Sequence, residues 1–397
     1  MFLMYQNQLL EINKRTMKKT ILALSVTLLT IINVSAQSPV KDIKFGGRIM
    51  YDMAVWGDST MDNAGTEFRR VRLYSSGTMY SNVKYKLQLD FANGDIAFKD
   101  IFIELNKLPI QGNLRIGHFK EPFRLEALTS SKYITFMERG LPIALSPERN
   151  TGAMYHTTFG DRLSFQTGIF RESDAFGNDK TANNNVNITT RVTYLAMNDR
   201  NKLLHLGVAN SRRKNNDKYY GFSSRAENHL GPKLMNIEFI NQVKDVNIIA
   251  SEITYVNGSL SLQGEALQTT INTEIGQWNT PNTHQIMSYY GQVSYFLTGE
   301  NRSYKNSLAG FGRVKPNNNY GENGWGALEI AVRFSAIDFK ENGSLEDITF
   351  GLNWYLNPNT RMMFNYVMGE RTNGSELDNE SGITSENAIM MRVQLDF

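Results

Sequence analysis

Hydrophobic and polar positions alternate along most of this chain. From Asn387 to Phe397, Ile389, Met391, Val393, Leu395 and Phe397 fall on one side, and Ala388, Met390, Arg392, Gln394 and Asp396 on the other. Successive side chains of a strand point to opposite faces, so the pattern predicts a strand with one apolar and one mostly polar face. Val83, Tyr85, Leu87, Leu89 and Phe91 repeat the pattern, as do Ile348 to Leu356 and Met362 to Met368. Similar segments begin near Lys41, Glu67, Ala97, Gly112, Gly152, Arg162, Asn187, Lys202, Lys218, Val246, Ser259, Ile286 and Gly326. That makes 17 strands, or 18 if Leu234–Asn241 is one.

Strands of about ten residues with this dyad period, separated by turn residues, are what a membrane barrel needs: lipid outside, water inside, the last strand closing on the first. The expected fold is all-β, a transmembrane antiparallel barrel of 16–18 strands in the bacterial outer membrane. The C-terminal Phe397, with apolar residues at every second position before it, is similar to the assembly signal of bacterial outer-membrane proteins. Turn lengths agree. Asn257-Gly258, Gly160-Asp161 and Asn357-Pro358-Asn359 are short, whereas 172–186, 269–285 and 370–386 are long and polar. Two connectors stand apart. Residues 120–151 form a long insert, expected to fold into the lumen as a constriction loop. Residues 299–324 fall by parity on the short-turn side, and the pattern gives no reason for their length.

A hydropathy scan misses such a protein, because every second residue faces water. The mean hydropathy is −0.38. There is no cysteine, hence no disulfide and no thiolate metal site. Residues 17–36 read as a secretory signal: Lys18 and Lys19, an apolar core from Ile21 to Ile32, and Val34-Ser35-Ala36 before the cut. The expected organisation is residues 1–36 as N-terminal extension and signal, and 37–397 as one barrel domain. Removing 1–36 takes four basic side chains and one acid from totals of 42 and 39, leaving 38 of each. Charge selectivity must then come from placement, not from net charge.

Several stretches resemble the phosphate-selective porin O and P family: F-R-R-V-R-L-Y (68–74), L-R-I-G-H-F-K-E-P-F-R-L-E (114–126), L-T-S-S-K-Y-I-T-F-M-E-R (128–139), S-P-E-R-N-T-G (146–152), E-I-A-V-R-F-S-A-I-D-F (329–339) and D-I-T-F-G-L-N-W-Y-L-N-P-N-T-R-M-M-F-N-Y-V (347–367). The resemblance runs from about Phe45 to Phe397. It implies a 16-stranded homotrimeric barrel that conducts anions, phosphate or polyphosphate among them, narrowed by its third loop. By the match of L-T-S-S-K, Lys132 is the expected constriction lysine.

Alternation assigns Lys44, Arg48, Arg70, Arg72, Lys84, Lys86, Arg115, Arg191, Arg225, Arg333, Arg361 and Arg392 to the lumen, against Asp52, Asp90, Asp100, Glu104, Glu265, Glu329, Asp347 and Asp396. The basic excess is early, where Arg70, Arg72, Lys84 and Lys86 lie on adjacent strands. A positive wall attracts anions, and guanidinium donates two bonds to phosphate. The candidate substrate-binding residues are Lys132, Arg124, Arg70, Arg72, Lys84, Lys86 and Arg115. Mixed charges also simply keep a general porin's wall wet, so anion selectivity and general diffusion both stay open. A third reading is an oligosaccharide channel, with Phe102, Phe119, Phe170, Tyr74 and Tyr355 as a ring path. No histidine pair has metal-ligand spacing and no phosphate-binding glycine loop occurs. Neither catalysis nor a cofactor is expected. The expected partners are small solutes and outer-membrane lipid, not nucleic acid.

Overall fold

The computed structural model describes residues 40–58, 61–179, 185–199, 201–274, 283–306, 310–322, 324–340, 342–373 and 385–397. The expected signal segment lies outside the described residues, as do most of 370–386 and half of 269–285. The strands are β1 (Val40–Gly57), β2 (Asn63–Met79), β3 (Val83–Asp90), β4 (Ala97–Leu105), β5 (Asn113–Lys120), β6 (Arg149–Phe159), β7 (Leu163–Arg171), β8 (Asn187–Asp199), β9 (Lys202–Lys214), β10 (Tyr219–Arg225), β11 (Lys233–Asn241), β12 (Val243–Asn257), β13 (Leu260–Thr273), β14 (Thr283–Phe296), β15 (Tyr304–Lys305), β16 (Gly310–Phe311), β17 (Ala327–Phe339), β18 (Gly343–Asn357), β19 (Thr360–Asn373) and β20 (Ser385–Asp396).

Sixteen of them, all but β10, β11, β15 and β16, form a closed antiparallel barrel in sequence order. β20 closes on β1, from Arg48 opposite Asp396 to Gly57 opposite Asn387. The alternation reports the two faces: Ile389 and Leu395 are 56% and 43% exposed, while Met390 and Arg392 are 2% and 0% exposed. The segments expected as barrel strands at Lys218 and Leu234–Asn241 are strands outside the ring. They pair with each other as hairpin β10–β11, Tyr219 opposite Asn241. A hairpin packing one apolar face has the same period as a lipid-facing strand, so sequence alone counts both.

That hairpin explains a second feature. Inward positions on the later strands include apolar side chains: Val246, Ile248, Leu267, Ile271, Ile286, Ile337, Met363, Val367, Ala388 and Met390 are all buried. Phe222, Leu234, Met235, Ile237 and Ile240 of the hairpin pack against them in one cluster with Phe123, Met137 and Leu141 of the insert. The barrel therefore has an apolar core on its β12–β20 side rather than an open lumen there.

The insert between β5 and β6 holds two short helical turns, Leu125–Leu128 and Leu141–Leu145, in otherwise irregular backbone, and its buried carbonyls need donors. Inward-facing side chains of four late strands supply them. Arg361 donates to Ile134 O at 2.9 Å, Asn353 to Thr135 O at 2.8 Å, Arg392 to Met137 O at 2.5 Å, and Arg333 to Glu138 O at 2.9 Å. The 299–324 connector reaches the base of the same insert from the short-turn side. Phe311 and Tyr304 pack with Leu125, Leu195, Leu203 and Val256. The Phe311 N–H donates to Thr129 Oγ1 at 3.2 Å, and the Arg302 guanidinium stands 3.4 Å from the Phe311 ring centroid. Its length is thus used to prop the insert.

Candidate functional site: a basic cavity on the early strands

With the β12–β20 side filled, an internal space lies against β1 to β7. It measures about 530 Å³ and is bounded by these strands, the insert and the 223–229 tip of the hairpin. Eleven Lys and Arg side chains line it, against four carboxylates, Asp100, Glu138, Glu148 and Glu227. Six of the eleven, Arg48, Arg70, Arg72, Lys86, Arg115 and Arg225, are among the positions that alternation assigned to the lumen; Arg69, Lys99, Lys120, Arg139 and Arg149 are not.

Of the seven candidate residues, the structure brings Arg70, Arg72, Lys86 and Arg115 together on this cavity. Arg72 Nε meets Asp90 Oδ2 at 2.7 Å, Lys86 Nζ meets Asp100 Oδ2 at 2.6 Å, and Arg115 meets Glu104 at 2.5 Å. Arg115 also stands 4.1 Å over the Phe102 ring. The other three lie elsewhere. Lys84 is exposed near the short-turn end of β3, opposite Glu104 in register, and does not line the cavity. Arg124 is fully buried, bonded to Glu265 Oε2 at 2.6 Å and to Ser146 Oγ at 2.7 Å, and holds the insert to β13. Its φ of +65° is a strained conformation that these partners hold.

Lys132 sits off the cavity, with Nζ 2.9 Å from Asp396 Oδ2 and 5.3 Å from the Tyr133 ring. Arg313 of the connector shares Asp396. The reason is a turn of the insert: Ser130 and Ser131 face Arg48, and Lys132, next in the chain, turns toward β20.

Arg48 and Arg70 are the cations that stand out. Arg48 Nη1 donates to Ser131 Oγ at 2.7 Å and Ser130 Oγ at 3.2 Å, and Arg70 Nη1 meets only Met50 Sδ at 3.7 Å. Among the described residues, no carboxylate comes within ion-pair distance of either. Lys120, Arg139 and Arg225 also donate to backbone carbonyls rather than to acids. Arg69 escaped the alternation. Phe68 and Leu73 both face outward, 56% and 50% exposed, so parity slips once between them, as at a β-bulge. That slip turns both Arg69 and Arg70 inward. Arg69 forms a two-bond pair with Glu138 at 2.8 and 2.9 Å. Burial alone would raise the Glu138 carboxyl, but Arg69, Arg70 and Arg392 beside it hold it well below the usual carboxylate range.

The remaining lumen arginines are internal ties. Arg191 pairs with Glu252 at 2.6 Å, Arg392 with Asp52 at 2.6 Å, and Arg333 with Glu126 at 3.0 Å and with Glu227 of the hairpin. The proposed ring path does not form an open ladder. Phe119 and Phe170 are buried and stack edge-on at 5.6 Å, with Phe102 6.0 Å from Phe119. His118 is covered by the loop after β7, with Ser173 Oγ 3.1 Å from Nδ1.

A model described as "Phosphate-selective porin O and P" matches residues 43–397. Porin O of Pseudomonas aeruginosa is 25% identical, over 89% of this chain and 88% of that protein. Two solved structures share the fold. An anion-selective porin from Comamonas acidovorans superposes with a TM-score of 0.56 at 14% identity, over 90% of this chain and 99% of that one. The outer membrane channel DcaP of Acinetobacter baumannii gives 0.57 at 10% identity, over 90% and 97%. Closed barrel, lipid-facing alternation and family match agree: the chain belongs to the phosphate-selective porin O and P family, the porins of the bacterial outer membrane.

Proposed function

We propose that the protein is a passive diffusion channel that prefers anions, phosphate among them, and that it works without chemistry on its solute. The observation that carries this is the cavity on β1–β7, where Arg48 and Arg70 offer guanidinium groups with no carboxylate partner among the described residues. A cation already paired in a wall adds little field. One with no carboxylate in contact, in a narrow, low-dielectric passage, concentrates anions and replaces part of their hydration shell. The early arginines would form the selective wall and the late ones hold the insert that narrows it. Family membership supports the same reading, as does the anion selectivity of the Comamonas porin. We also propose a homotrimer, the form in which one structurally similar outer membrane protein, OmpT of Vibrio cholerae, is described. Purified protein in planar bilayers tests the reading. Reversal potentials in asymmetric KCl should show chloride preference, and added phosphate should block the chloride current. Cation preference would refute it. Cross-linking in detergent should stop at three chains; a single-chain species alone would refute the trimer.

A further inference from the structure

We propose that the cavity is built for an organic anion, a charged head on an apolar body, in preference to a bare inorganic anion. The inference rests on the anion-channel reading above and deepens it.

The cavity brings charged and apolar groups together. β1 and β2 supply Arg48, Arg70 and Arg72, while the insert supplies the apolar Leu128, Ile143 and Ala144 beside its own Ser130, Ser131, Glu138, Arg139 and Glu148. These three apolar side chains are only half-buried, so carbon on the narrowing element stays in contact with cavity water. An inorganic anion has nothing to cover that carbon with. A ligand with an apolar body takes it out of water, which is favourable in proportion to the area removed, while its head reaches guanidinium groups that lack carboxylate partners. Size agrees. A space of about 530 Å³ lies within the ~300–1,000 Å³ typical of sites that enclose organic molecules, and such sites combine apolar walls with a few placed polar groups. The rest of the lumen does not share this character. On the β12–β20 side the apolar residues are fully buried against the hairpin and the insert, and present nothing to a solute.

The test uses one head group on bodies of rising apolar area: inorganic phosphate, methyl phosphate and phenyl phosphate. Each is added to purified protein in planar bilayers at about pH 8, above the second ionisation of a phosphate group near 6, so charge is closely matched. Phenyl phosphate should half-block the chloride current at about tenfold lower concentration than inorganic phosphate, the ratio expected from covering about two methylene-sized groups. Methyl phosphate should fall between. In Leu128→Ser combined with Ile143→Ser the phenyl advantage should vanish while the reversal potential stays anion-selective. If that variant yields no heat-modifiable barrel, Ile143→Thr alone should halve the advantage or better. Equal block by all three compounds, or a phenyl advantage that survives the substitutions, overturns this inference and leaves the anion channel standing. A cation-preferring wild-type channel overturns both.

Discussion

Two buried arginines of the lumen should respond in opposite ways to the same substitution. Arg48→Met removes a charge that has only Ser130 and Ser131 as partners, so no carboxylate is orphaned. The stability cost should be about 1 kcal/mol, the worth of ordinary hydrogen bonds to hydroxyls. The effect on transport should be large. At about 6 Å and an effective dielectric constant of about 20, one unit charge attracts a monovalent anion by about 2.8 kcal/mol, and in bulk water by about 0.7 kcal/mol. A wet cavity lies between these limits, so half-block by phosphate should need about tenfold more, bounded by about 3-fold and 100-fold. Arg392→Met does the reverse. It strips Asp52 of its two-bond partner and Met137 O of its donor, all in buried surroundings. Removing one partner of a buried pair costs about 3–5 kcal/mol, so the temperature at which the folded band is lost on gels should fall clearly, with little change in the selectivity of the barrels that remain. Bilayer reversal potentials and heat-modifiability gels read the two effects separately. Should Arg48→Met leave phosphate block unchanged, or destabilise the barrel more than Arg392→Met, the division into channel and structural arginines is wrong.

Glu227→Ala should loosen the β10–β11 hairpin, because Glu227 accepts bonds from Arg333, Ser335 and Thr349 in one buried cluster. A loss of about 3–5 kcal/mol should appear as switching between two conductance levels, and an unchanged trace would count against the hairpin as a seated element. Lys132→Glu places like charge beside Asp396 with only Arg313 left to compensate. It should lower barrel stability and move the reversal potential less than Arg48→Met does, and the opposite ranking would return Lys132 to the constriction. Glu138 has a carboxyl held below its unfolded value near 4.5, so its contribution is present above that value and is lost as pH falls through the lower folded value. Selectivity should therefore hold from neutral pH down to about 4.5 and change only below it, with a smaller acid step in Glu138→Gln. A change centred near neutral pH would contradict the Arg69–Glu138 assignment.

Much of this was legible in the sequence. The period of two in Val83–Phe91 and Ala388–Phe397 reports a real partition, because lipid on one side selects apolar side chains at every second residue. What period alone could not say was what covers the inner face. Met363, Val367, Ala388 and Met390 broke the polar pattern there, and that was the available sign of a packed element, the β10–β11 hairpin. The same limit applied to the arginines. Arg48 and Arg392 are both inward by parity, and only three-dimensional pairing separates a free cation from one tied to Asp52. Arg69 was lost because strict alternation with Arg70 and Arg72 inward puts Arg69 outside, and the slip between Phe68 and Leu73 turns it inward beside Arg70. Lys132 was placed by likeness of L-T-S-S-K to the family pattern, but side-chain direction in irregular backbone is set residue by residue, and here the serines, not the lysine, meet the cavity.

The central claim is that cations on the early strands with no carboxylate in ion-pair contact make this porin select anions. Its most direct test is the reversal potential of single wild-type channels in asymmetric KCl, before and after added phosphate. The account predicts a potential on the chloride side and a concentration-dependent block. A potential on the potassium side, with current indifferent to phosphate, would contradict it.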